Sequence, residues 1–484
     1  MPNPIDAGSK NPADANSAPA FISSKYQPGS NSVFLSLKTA AYSLAGVNSG
    51  ACGVDEHDAS NKNNALNGKT TMHKNPVSLG LTSAALGLSL ALPGFAEADF
   101  FEDSKADLEF RNFYFNSDFH QEGASQSKRD EWAQGLLLNV ESGFTEGTLG
   151  FGVDAMGLLG LKLDSSPDRR NTGLLPVGDD KAPDDYSRSG VTAKARLAKS
   201  VLRVGTLLPK LPTVLPNDGR LLPQTFRGAQ LTSKDLADMT VNVGRLTANT
   251  ERNDSGHEDI EAEAKGIKGG RPSDKFDFAS ASYNWSKALT TSYNYGGLEN
   301  NYKQHIVTLL HNFALGDSQS IKSDLRYARS LKDGNTNIDN TALGARFTYN
   351  ISGHGFGIAY QKMSGDTGFP HLAGTDSFLV NYVMISPDFA NPDERSWQAR
   401  YDYDFAALGL PGLSFMTRYL KGDNFARGRE EGTEWERNTD IAYVFQSGAL
   451  KNLELKWRNG SYRSNGGNNI DQNRVIVSYT LPLL

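Results

Sequence analysis

From Asp99 to Leu484 the chain falls into segments in which apolar and polar side chains alternate one for one. In the last of them Val475, Val477, Tyr479, Leu481 and Leu483 alternate with Arg474, Ile476, Ser478 and Thr480; in the one before, Leu453, Leu455 and Trp457 alternate with Glu454, Lys456 and Arg458. The same pattern recurs around Phe151, Val191, Leu325, Phe347, Tyr401, Phe415 and Tyr443. A period of two is that of a β-strand, whose successive side chains point to opposite faces. The polar faces carry charge in strand interiors, including Lys194, Arg196, Arg326, Arg346, Arg400, Asp402, Arg418 and Lys456. Two architectures hydrate such charges. One is a soluble sandwich whose polar face meets bulk water. The other is a closed membrane barrel, with lipid outside and a wet lumen inside.

The rest of the chain favours the barrel. The segments are roughly ten residues long, enough for a tilted strand to cross a bilayer. Clusters of Gly, Asn, Asp and Pro separate them, and Tyr, Trp and Phe gather near their ends, as in interfacial girdles. Met72-His-Lys-Asn leads into an apolar run over 77–92, then Pro93 and Ala96-Glu-Ala98. These are the three regions of a cleaved secretory leader, spanning 72–98. Residues 1–71 show no sustained period and are read as an upstream extension outside the mature protein. The mature chain, 99–484, is long enough for about 16–18 strands at roughly 20–24 residues each. Mean hydropathy is −0.47, which a water-filled barrel shares with soluble proteins, because alternate residues alone face lipid.

Composition excludes several functions. The net charge of −6 and the lack of a basic stripe interleaved with aromatics give no case for nucleic acid. The single cysteine, Cys52, precedes the leader, so neither a disulfide frame nor a cysteine metal site is expected. No P-loop, H-E-x-x-H or G-x-S-x-G occurs, and the Asp333, Asn335, Asn337, Asp339 spacing lacks the Gly and Glu of a calcium loop. The chain is read as a non-enzyme without cofactor or metal.

One connection differs from the rest. Residues 207–226 hold four prolines and are apolar for a surface loop. Proline cannot serve a strand ladder, so this stretch is expected to fold inward against the barrel wall as a constriction. Asp218 and Arg220 lie at its tip.

Longer motifs carry a resemblance. Phe110-Arg-Asn-Phe-Tyr-Phe-Asn116, Glu141-Ser-Gly-Phe-Thr-Glu-Gly-Thr-Leu-Gly-Phe-Gly-Val-Asp154, Asp184-Asp-Tyr-Ser-Arg188, Arg220-Leu-Leu-Pro-Gln224 and Ser396-Trp-Gln-Ala-Arg-Tyr-Asp402 resemble the OprD family of outer-membrane porins. The resemblance implies an all-β, 18-stranded antiparallel transmembrane barrel in a Gram-negative outer membrane, either a monomer or a loose homotrimer. It implies inward loops around a narrow eyelet, and an Arg/Lys ladder facing acidic and hydroxyl groups. Arg129, Lys456, Arg458 and Arg474 match the ladder; Asp376, Ser377 and Asp388 match the acidic side, and His371 stands where some relatives have Tyr. To the ladder the alternation adds Arg400 and Arg418.

The implied activity is passive uptake of small carboxylate-bearing molecules, stepping between cations that replace part of their hydration. The loops at 207–226 and 365–370 look more like the aromatic-carboxylate branch, of benzoate or vanillate type. A channel for basic amino acids, peptides and carbapenems of the same family, and a nonspecific porin, are the alternatives.

Overall fold

The computed structural model describes residues 98–484, apart from 122–123, 179, 386–388 and 468. The extension and, but for Ala98, the leader lie outside the described residues, as does Asp388. After a single helical turn at Ala98–Glu102, the first strands are β1 (Lys105–Phe119), β2 (Lys128–Glu141), β3 (Leu149–Asp164), β4 (Asp185–Leu197), β5 (Ser200–Leu207) and β6 (Thr225–Ser233). Next come β7 (Met239–Thr250), β8 (Phe276–Asn284), β9 (Leu289–Leu298), β10 (Tyr302–Gly316), β11 (Gln319–Lys332) and β12 (Asp339–Ile351). The last are β13 (His354–Ser364), β14 (Arg395–Asp404), β15 (Leu413–Arg427), β16 (Glu430–Val444), β17 (Glu454–Ser464) and β18 (Ile470–Pro482).

Each strand pairs antiparallel with the next. β1 closes the ring against β18, from Asp107 opposite Pro482 to Phe119 opposite Ile470. Closure leaves no sheet edge, so backbone groups in the wall are paired without water. Strand lengths run from 8 residues in β5 to 16 in β3, a wider spread than the ten or so expected. Short turns such as 198–199, 317–318 and 352–353 join strands at the rim that also holds both ends of the barrel chain. Longer connections gather at the other rim, the outer one in barrels of this kind.

The barrel is inside-out relative to a soluble protein. Along β13, Phe356, Ile358 and Tyr360 are 50%, 66% and 50% exposed on the outer face, whereas Ala359, pointing inward, is buried. Aromatic rings cluster at the turn rim, with His354 and Tyr403 4.5 Å apart and Tyr403 and Phe405 4.7 Å apart. A second group, Trp397, Tyr419 and Trp435, lies nearer the loop rim. These match the expected girdles.

Three connections fill the lumen: 208–224, 251–275 and 365–394. In the first, Leu221 and Leu222 are fully buried against Phe113, Phe115 and Leu137 of the inner wall. Its proline-rich apolar composition therefore does what the sequence required: it packs inside. The second and third pair with each other through Ala262–Glu263 and His371–Leu372. The third is joined to the first by the Asp376 N–H donating to the Leu215 carbonyl at 2.9 Å.

Candidate functional site

The three loops and the wall at β15, β17 and β18 line a cavity of about 490 Å³ in the lumen. Strand alternation delivers Arg418 from β15, Arg458 from β17 and Arg474 from β18. Arg458 and Arg474 are direct register partners. Loop 208–224 adds Asn217, Gly219 and Arg220; the other two add Arg252, Glu263, Lys265, His371, Asp376 and Tyr382. Six basic side chains thus line the cavity with two carboxylates, and Lys265 also lies 3.9 Å from Glu434.

The arginines differ in how far their charge is already matched. Arg458 Nε donates to Asp440 Oδ2 at 3.1 Å. Arg474 instead donates to Gln472 Oε1 at 2.9 Å and the Met384 carbonyl at 2.9 Å. Arg418 donates to Asn438 Oδ1 at 2.8 Å and the Tyr382 carbonyl at 3.2 Å. Arg220 donates to the Thr172 and Gly219 carbonyls at 3.0 and 2.9 Å. Among the described residues no carboxylate lies within ion-pair distance of Arg220, Arg252, Arg418 or Arg474. The neutral acceptors of Arg220, Arg418 and Arg474 fix their positions and leave positive charge for a ligand. Arg220 and Arg474 also sit over the Phe115 ring, at 4.8 and 4.9 Å, which braces the guanidinium planes.

On the opposite side Asp376 Oδ1 accepts the Tyr382 hydroxyl at 2.5 Å. Burial raises the Asp376 pKa from its ordinary value, against the Tyr382 hydrogen bond and the charges of Arg252 and Arg220.

Of the residues singled out in the sequence, Arg220, His371, Asp376, Arg418, Arg458 and Arg474 meet at this cavity. Of the rest, the described ones do not line it. Arg129 lies toward the loop end of β2, its guanidinium 5.0 Å from the Phe119 ring centre, at the outer mouth. Lys456 precedes Arg458 on the same inward face, nearer the turn rim. Arg400 is held by both oxygens of Asp402, each bond 2.7 Å. Asp218 is engaged by Arg111 at 2.7 Å at the loop tip. Ser377 is buried and its Oγ has no described partner, so it is packed behind the eyelet rather than presented to it. Arg252, Lys265, Glu263 and Tyr382 were missed, because they lie on irregular loops whose path no periodicity reveals.

A closed lipid-facing barrel with a charged, loop-built constriction is an outer-membrane channel. The model for "outer membrane porin, OprD family" matches residues 98–483, and the chain belongs to that family. It is 38% identical over 408 residues to the porin-like protein GalP of Pseudomonas putida, covering 83% of this chain and 97% of GalP. The crystal structure of Pseudomonas aeruginosa OpdQ is similar at a TM-score of 0.75 and 56% identity, covering 80% of this chain and all of OpdQ. That of Pseudomonas aeruginosa OpdK with vanillate is similar at 0.73 and 39%, covering 79% of this chain and all of OpdK. The protein is therefore a Gram-negative outer-membrane porin for small molecules, and its relatives are channels, not enzymes.

Proposed function

We propose that this porin selects small organic acids, aromatic or cyclic monocarboxylates above all, and passes them by facilitated diffusion. The observation that carries the reading is the eyelet itself: six cations against two carboxylates, with Arg220, Arg418 and Arg474 hydrogen-bonded to neutral groups. A carboxylate entering a partly dehydrated constriction needs replacement donors, and successive moderate sites allow both entry and exit. In this reading Arg129 draws the anion to the mouth. Arg220, Arg418, Arg458 and Arg474 hold it at the eyelet, and Lys456 and Arg400 receive it below. The size of the cavity suits one ring with its carboxylate better than a peptide. Tyr382, Val383 and Met384 offer the ring an apolar contact. The structure of OpdK with vanillate, an aromatic carboxylate, supports that class. Export is assigned to the leader at 72–98.

A second reading, uptake of molecules that also bear an amine, is favoured by Asp376 and Glu263 on the same cavity. Liposome swelling with benzoate, vanillate, pyroglutamate and arginine separates the two. The test of the ladder is Arg458→Ala combined with Arg474→Ala. A hydrogen bond to a charged group contributes about 1.5–3 kcal/mol, so apparent affinity for benzoate should fall at least about tenfold. Barrel yield should stay normal. Unchanged uptake would remove these arginines from the mechanism.

A further inference from the structure

The outer face of the wall turns basic over three neighbouring strands near the loop rim. On β13 Lys362 follows Tyr360, on β14 Arg395 precedes Trp397, and on β15 Lys421 follows Tyr419, in each case one outward position further toward that rim. All three cations are exposed. Register ties them to the rings: Lys362 stands opposite Arg395, and Trp397 opposite both Tyr360 and Lys421. Trp435 of β16 is opposite Lys421 in turn. The cations therefore lie at the headgroup edge of the loop-side aromatic girdle.

These three are charges without a protein counter-charge. In the loop-side halves of β7, β10 and β11 the outward cations are in closed pairs. Arg245 Nε meets Asp277 Oδ1 at 2.6 Å, Lys303 Nζ meets Asp333 Oδ1 at 2.9 Å, and Arg329 is paired with Asp339. Further round, Arg437 donates to Asn459 at 3.0 Å and Arg463 meets Asp471 at 2.9 Å. Among the described residues no carboxylate lies within ion-pair distance of Lys362, Arg395 or Lys421. Asp423, the other register partner of Arg395, leaves that pair open.

Directly below, the wall is hollowed. Ala399 of β14 is small between its larger register partners, Ile358 and Tyr419. With Phe347, Phe356 and Tyr401 these side chains line an apolar hollow of about 740 Å³ on the lipid side. Along β14 the order toward the loop rim is Ala399, Trp397, Arg395: hollow, ring, cation. A lipid presents chain, head and charge in the same order.

We propose that this face is a binding site for a bis-phosphorylated saccharide lipid of the outer leaflet, with an acyl chain in the hollow and phosphates on Lys362, Arg395 and Lys421. The loop rim is the outer one, which sets the leaflet. The cations span two inter-strand spacings, roughly 10 Å, too wide for one phosphate and suited to two on a single head. The exposed rings between them, apolar on their faces, suit a sugar. Basic clusters at the membrane interface recognise lipid phosphates in this way. The inference is independent of which substrate the pore selects.

The folded barrel in detergent is titrated with bis-phosphorylated lipid A, and bound lipid is counted by native mass spectrometry. Combining Lys362→Gln, Arg395→Gln and Lys421→Gln should weaken binding roughly tenfold or more. Removing both phosphates from the lipid should do the same to the wild type. Ala399→Trp, which fills the hollow, should weaken binding with all three cations in place. Arg245→Gln with Lys303→Gln, which removes two cations that are already paired, should bind as the wild type does. Heat-modifiable migration and unchanged single-channel conductance confirm that each variant is folded. Equal binding by the wild type and the triple variant, no binding of lipid A by the wild type, or tighter binding of cardiolipin than of lipid A would each overturn the proposal.

Discussion

Residue chemistry in the lumen turns on whether a charge is already matched. Arg400 and Arg458 have carboxylate partners, whereas Arg220, Arg418 and Arg474 rest on amides and backbone carbonyls. Buried acids obey the same logic in reverse. Glu394, at the end of loop 365–394, is fully buried. Its Oε2 accepts from the Asn391 backbone and side chain at 2.8 and 2.7 Å, while its Oε1 has no described partner. Burial first, and the neighbouring Glu434 second, raise its pKa well above the ordinary carboxylate range, with Lys265 opposing. Between its ordinary value and this raised one the docked loop therefore binds a proton that the undocked loop does not. Docking weakens as pH rises through that window and is fully favoured below it. Current noise from loop motion should grow from pH 6 to pH 9 in the wild type and stay flat in Glu394→Gln; equal pH dependence in both would refute this role. At this scale the sequence was partly legible. Alternation alone exposes Arg418, Arg458 and Arg474 as inward, but nothing in a linear pattern says that Asp402 holds Arg400 or that Ser377 is turned away.

The elements that define the pore are the inward loops. Loop 208–224 is seated by Leu221 and Leu222 and clamped by Arg111 of β1. Arg111 donates to Asp218 Oδ1 at 2.7 Å and to the Arg220 carbonyl at 3.0 Å. Arg111→Ala breaks an ion pair that also positions Arg220. Single-channel conductance should rise by about twofold or more, with the melting of the strands little changed, since the wall itself is untouched. A normal conductance would show that leucine packing alone holds the loop. The four prolines and apolar character of 207–226 announced an inward loop. The role of 251–275 and the interlocking through Ala262–Glu263 and His371–Leu372 did not show, because two-residue pairings leave no periodic trace.

At the scale of the whole molecule the sequence spoke most clearly. A barrel with lipid-facing apolar residues and lumen-facing charges follows from the period of two, since any slip by one residue would turn arginines into lipid; length and period left about 16–18 strands, and the family resemblance implied the eighteen that the structure has. The change of one outer-wall row from apolar and aromatic on β10 to β14 to threonine and asparagine on β15 to β18 and β1 was hidden, because it appears only when register places Thr417, Thr439, Asn459, Asn473 and Asn116 side by side. The central claim is that the eyelet is an anion-selecting constriction. It is tested most directly by the reversal potential of single wild-type channels in a planar bilayer under a salt gradient, with benzoate then added. The expected result is a small conductance that favours chloride over potassium and is blocked by benzoate in a saturable manner. A wide, cation-preferring pore indifferent to benzoate would contradict the account.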